Sequence, residues 1–206
     1  MSEEHIEKVT CSKCGKESEF LVHDIISTDD SPGMKAKVRE GNLFDWKCPH
    51  CGAESTLMYP MLYHQPEDKL MIYLMEPDSN DNIEAPEGYT CRVTKDVNAF
   101  LEKLAIFDEG LDDRVVELMK LFIVAAMQVE RPQIVITDFL FDRDSDGLRF
   151  FTVVTGDGDI SNAAFSDEAY EGVKDLLAKY PAPESIRIDA QWAVEAAGIM
   201  NMGSIK

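Results

Sequence analysis

Two five-residue stretches, "CSKCG" at 11–15 and "CPHCG" at 48–52, constrain this chain more than any other feature. Two residues between cysteines let both sulfurs of one tight turn face a single ion. The glycine that follows admits a positive φ, so that backbone N–H groups point at the thiolates. One such turn supplies half of a tetrahedral shell, and two complete an all-cysteine shell, the composition of a closed structural zinc site. Cys11, Cys14, Cys48 and Cys51 are therefore the candidate metal ligands. The 33 residues between the turns (15–47) exceed the usual zinc-ribbon spacing. A strand–helix–strand insert accounts for them, and loop length itself adds little closure entropy. Four thiolates outweigh the charge of one divalent zinc, and Lys13, Lys16 and Lys47 stand beside the turns as candidate outer-shell donors.

Other uses of these cysteines fit the sequence less well. Tetrahedral sulfur suits iron as well as zinc, and "CPHCG" resembles the second knuckle of rubredoxins, which use iron for electron transfer. The chain is far longer than a rubredoxin and its loop differs. A redox dithiol belongs at a helix N-terminus, where the dipole lowers the thiol pKa. Here each pair runs instead into a strand-like segment, "KESEFLV" or "AESTLMY". A nucleic-acid reader needs basic residues, yet 39 acids against 20 bases give a net charge of −19. Residues 1–64 alone carry 11 acids and 7 bases, so a polyphosphate is repelled even at the cysteine end.

The rest of the chain reads as α+β. The expected architecture is a zinc-ribbon-like, β-rich N-terminal half with two CxxC knuckles, a helical hairpin, and a C-terminal β-meander with helices. Residues 1–77 form the four-cysteine region, in which "SPGMKAKVREG" predicts a brief helix capped by Ser31 and "HQPEDK" a hairpin turn. The acidic, turn-rich "DSNDNIEAPEG" (78–88) reads as a linker. Residues 89–131 hold the strand "YTCRV" and an αα-hairpin. Val97, Phe100, Leu101, Leu104 and Phe107 make one helical stripe, and Asp112 caps a second helix whose apolar latter half predicts deep burial. Residues 132–206 form the C-terminal α+β region. It comprises a three-stranded meander, a helix capped by Ser166, a strand at "SIRI" and a short helix capped by Asp189 that ends at Gly198.

The remaining candidate sites have ordinary explanations. "DRDSDG" (142–147) copies the opening of a calcium loop, but Val153 stands where that loop needs glutamate, so a hairpin turn is expected. His5, His23, His50 and His64 show no ligand spacing. No catalytic residue can be chosen among so many carboxylates, for which a solvated face is the default. Cys91 alternates with apolar neighbours as a small core residue. "MSEEHIEKVT" has no basic stretch followed by an apolar run, so no secretory signal is expected. Paired cysteines at metal spacing predict a reducing cytoplasm.

Taken together, "TCSKCGKESEF", "GNLFDWKCPHCG", "YPMLYH" and "LEKLAIFDEGLDDRVVELMK" resemble the CpXC domain, named for its two CPxC-type motifs, over roughly residues 9–125. Cys48–Cys51 match the motif, whereas the first pair lacks its proline and keeps its thiol spacing. The resemblance implies a metal-binding N-terminal half in a cytoplasmic bacterial or archaeal protein and carries no catalytic residues. The expectation is a zinc-stabilised protein with a protein partner and no nucleic-acid or membrane partner. A rubredoxin-like iron protein or an enzyme is the alternative.

Overall fold

The computed structural model describes residues 2–75, 83 and 85–204, so most of the 78–88 segment read as a linker lies outside the described residues. The chain divides into two compact units, Met1–Leu101 and Glu102–Lys206.

The first unit opens with the hairpin β1 (Glu3–Thr10) and β2 (Glu17–Ser27), whose connection carries the first cysteine pair. Helix α1 (Met34–Arg39) follows, then β3 (Asp45–Lys47) and β4 (Glu54–Thr56), which bracket the second pair, then β5 (Met61–Gln65), β6 (Leu70–Leu74) and β7 (Thr90–Thr94). Five of these strands make one mixed sheet in the order β1-β2-β5-β6-β7, and β3 with β4 forms a separate two-stranded ribbon. β2 lies parallel to β5, and such a pairing needs a crossover, which the segment containing α1 provides. Met61, Tyr63 and Gln65 on β5, and Leu70, Ile72 and Leu74 on β6, alternate inward with the period of two that a strand imposes. Gln65 is polar, yet its Oε1 accepts from the Tyr63 hydroxyl (2.7 Å) and from Arg39 (3.2 Å), which satisfies its burial.

Helix α2 (Val97–Asp108) begins in this unit, where Phe100 is fully buried and stands edge-on to Phe44 (5.9 Å) and Tyr63 (6.4 Å). The chain tightens at Gly41, which adopts φ +73°; a Cβ there would lie 3.1 Å from Leu101 Cδ1. The positive φ favours glycine there, and a side chain would also oblige Leu101 to shift by a few tenths of an ångström. The short helix starts at Met34 after Gly33, two residues later than a Ser31 cap would have placed it. The Ser31 carbonyl instead accepts the Met34 N–H in a preceding turn.

The second unit contains the end of α2, α3 (Asp113–Glu130), the meander β8 (Ile136–Arg143), β9 (Arg149–Thr155) and β10 (Ile160–Ala164), then α4 (Asp167–Lys179) and α5 (Ala190–Ser204). Its caps are the expected ones: Asp112 accepts from Arg114 N, Ser166 from Ala169 N and Asp189 from Trp192 N. The "DRDSDG" segment is a hairpin turn in which Asp144 Oδ1 accepts the N–H groups of Asp146 and Leu148. Phe139, Phe141, Phe151, Val153, Trp192, Ala193, Ala196 and residues of α3 make the core.

Three sequence expectations fail here. "SIRI" is not a strand: Ser185 Oγ bonds the Arg187 N–H and carbonyl, a local alternative to a ladder, and Ile188 alone reaches the core. α5 runs past Gly198, because Met200 is still buried and holds the extra turn. The latter half of α3 is only partly covered. Leu121, Ile123, Val124 and Met127 pack against the core, whereas Phe122 (38% exposed) and Val129 (82%) face outward. No helix among the described residues is long and apolar enough to cross a membrane.

Charged groups also occupy the interior of this unit, where a solvated face had been the default. Lys103 meets Asp113 (3.1 Å) and Glu117 (3.2 Å), and Lys120 meets Glu102 (2.9 Å) and Glu117 (3.2 Å). Glu102 also accepts the Phe141 N–H (2.7 Å), which ties α2 to β8. Burial works against the Lys103 ammonium, but Asp113, Glu117 and Glu102 outweigh it and hold its pKa above the ordinary lysine value. Burial dominates at Glu102 and raises its pKa above the ordinary value of 4.5. Replacing Lys103 by Met removes the ammonium that two buried carboxylates face. Equilibrium denaturation is expected to show a loss of about 3–5 kcal/mol; an unchanged midpoint would mean that the network is dispensable.

Candidate metal centre

The two cysteine turns are built alike. In the first, the Cys11 N–H donates to Lys16 O (2.9 Å) and the Gly15 N–H to Cys11 O (2.8 Å). In the second, the Cys48 N–H donates to Ala53 O (2.8 Å) and the Gly52 N–H to Cys48 O (2.9 Å). Gly15 and Gly52 both sit at φ +69°, a conformation that a β-carbon disfavours. One turn closes the β1–β2 hairpin and the other closes β3–β4, so each is held by an antiparallel ladder of its own.

The turns face each other. Cys11 Sγ lies 3.7 Å from Cys51 Sγ, Cys14 Sγ lies 3.8 Å from Cys48 Sγ, and all four sulfurs fall within 4.8 Å of one another. A disulfide would bring two sulfurs to about 2.05 Å, so no pair here is bonded. A tetrahedron with metal–sulfur bonds of about 2.3 Å has edges of roughly 3.8 Å, which the two shortest separations match. The structure therefore brings together the four sequence-predicted cysteines as a cluster that can hold a metal ion. Among the described residues it is the one group of three or more such side chains close enough to do so.

The cluster has a dry side and a wet side. Cys11 and Cys48 are buried beside Trp46, with Val9, Phe20, Ala53 and Leu57 packed around them, while Cys14 and Cys51 lie toward solvent. The Trp46 indole donates to Ser18 Oγ (3.3 Å), linking β3 to β2. From Phe20 a run of rings leads into the sheet core: Phe20 to Tyr59 (5.9 Å), Tyr59 to Phe44 (5.5 Å), and Phe44 to Phe100. Neither Ser18 nor Tyr59 was singled out in the sequence. Phe44 and Trp46, alternating just before the second knuckle, were the available aromatic signal.

The electrostatics of the four thiols are uneven. Backbone N–H groups of Cys14 and then Lys13 outweigh burial at Cys11 and lower its pKa to about 7. Cys51 also receives a backbone N–H, from Ala53, but burial and the neighbouring thiols of Cys48, Cys11 and Cys14 overcome it and push its pKa up to about 11. Loss of a proton is favoured at Cys11 and resisted at Cys51, and a cation among the sulfurs would favour the thiolate forms. Lys47, expected near the thiolates, instead donates to Glu54 (2.8 Å) across the β3–β4 ribbon. His50 Nε2 lies 3.2 Å from Glu17 O, and among the described residues the group that could hold a metal consists of the four cysteines alone. Cys91 is buried in β7 and takes no part.

A mixed sheet flanked by a four-sulfur cluster on two glycine-backed hairpins defines an α+β protein with a site that can hold a metal ion. The model of the CpXC family, described as CpXC protein, matches residues 9–120, more than half of the 206. The chain belongs to the CpXC family. No curated protein and no solved structure matches it. Substituting Cys48 by Ser is expected to abolish stoichiometric metal binding measured on the purified protein, and Cys91→Ser to leave it unchanged. Metal binding retained in Cys48→Ser would place the metal elsewhere.

Proposed function

We propose that this CpXC protein is a zinc-stabilised, non-enzymatic module of the cytoplasm that works through contact with another protein. Cys11, Cys14, Cys48 and Cys51 hold the zinc in a zinc-ribbon-like arrangement. The observation that carries this reading is the closed set of four sulfurs, two from each hairpin. Four protein ligands fill a tetrahedral shell and leave no position for a substrate or an activated water. The metal's contribution is then structural: it joins two hairpins that otherwise meet mainly through Trp46 and its neighbours. In isolated finger peptides such a site contributes about 10–16 kcal/mol of apparent folding free energy. A net charge of −19 argues against a nucleic-acid partner.

The same four sulfurs suit iron, and the "CPHCG" turn keeps a rubredoxin-like electron-transfer reading as the second one. Elemental analysis of protein purified without added metal separates the two. The expected result is one zinc per chain, no visible absorption, and a lowered unfolding midpoint after chelation. Iron with a thiolate charge-transfer band would favour electron transfer, and the absence of any bound metal would overturn both readings.

A further inference from the structure

The outer edge of the five-stranded sheet carries information that the metal centre does not use. β1 pairs with β2 on one side, and no strand among the described residues pairs with it on the other. All but one of its eight residues are exposed, including Ile6 at 63%. Ile6 stands directly opposite Leu21 of β2, itself 44% exposed, so two apolar side chains share one open face of this ribbon.

Charged residues on an edge strand ordinarily prevent edge-to-edge association. Here their order does something more selective. The stretch "EHIEK" (4–8) is its own complement when reversed. In an antiparallel pairing of two copies with Ile6 on the two-fold axis, Glu4 faces the second copy's Lys8, His5 faces its Glu7, and Ile6 faces its own counterpart. Both flanking pairs then recur on the other side of the axis. Moving the axis to His5 sets Glu3 against Glu7, and moving it to Glu7 sets that residue against itself. A parallel in-register pairing sets every glutamate beside its own copy. Opposite charges placed directly across a ladder stabilise it and like charges destabilise it.

The geometry points to β1 as a self-association edge, where a second copy of this chain adds antiparallel to β1 with Ile6 on the two-fold axis. The two five-stranded sheets would join into one, with a row Leu21–Ile6–Ile6–Leu21 across four strands and the Glu4–Lys8 pairs flanking it on the same face. This interface is isologous, as a two-fold pairing must be. The existing contacts of these side chains, Glu4 with His23 (3.3 Å), Lys8 with Glu17 (4.0 Å), and His5 with Asp24 (2.6 Å) and Glu7 (3.2 Å), lie within β1–β2, and no strand among the described residues pairs with the outer backbone groups of β1.

Sedimentation equilibrium of the full chain, across a concentration series, tests the pairing. The wild type is expected to form dimers. Glu4→Lys and Lys8→Glu each create two like-charge pairs per dimer, which is expected to weaken association about 10- to 30-fold. An equimolar mixture of the two variants is expected to regain wild-type association, because each lysine of one chain then faces a glutamate of the other. A defect confined to each variant's own fold would not be rescued by mixing. A wild type that remains monomeric, single variants that dimerise like the wild type, or a mixture that stays as weak as its components would each overturn the proposal.

Discussion

Four thiols within 4.8 Å of one another form an arrangement that hydrophobic packing alone has no reason to produce. Successive ionisation of such a group meets growing repulsion, and the opposed pKa values of Cys11 and Cys51 express it. A cation at the centre would remove the conflict, because it would convert mutual repulsion into shared attraction. In the first unit the four thiols converge from two separate elements. Its long β1–β2 hairpin and its short β3–β4 ribbon lie in different sheets, and the cysteine cluster is where their tips meet.

From that junction, order passes inward by packing. Trp46 covers the buried pair of sulfurs and hydrogen-bonds β2 through Ser18. Phe20, Tyr59, Phe44 and Phe100 then stand ring against ring as far as α2. Edge-to-face aromatic contacts contribute about 0.5–1.5 kcal/mol each beyond the area they bury, so this chain of rings couples the sulfur cluster to the sheet core. The second unit holds no such cluster among its described residues. It relies on an aromatic and aliphatic core and on a buried set of three carboxylates and two ammonium groups spanning α2 and α3.

What the sequence disclosed and what it hid follow physical lines. The cysteine turns were readable because metal chemistry fixes residue type and spacing locally, within five residues. The caps at Asp112, Ser166 and Asp189 were readable for the same reason, since a cap serves an N–H two or three residues away. The helical stripe through Phe100 and Leu104 was readable as periodicity. The convergence of the two cysteine turns follows from pairing in separate ribbons and is not contained in either turn alone. The buried Glu102 and Lys103 were hidden because their partners Asp113, Glu117 and Lys120 come from another helix, and charge by itself suggests solvent. "SIRI" misled through its β-branched residues, because a strand also needs an open neighbour, and Ser185 had already bound the local backbone.

X-ray absorption at the zinc edge, on the full chain as purified, addresses the sulfur cluster most directly. The account predicts a single shell of four sulfurs at about 2.3 Å. A shell containing nitrogen or oxygen, or fewer than four sulfurs, would contradict it.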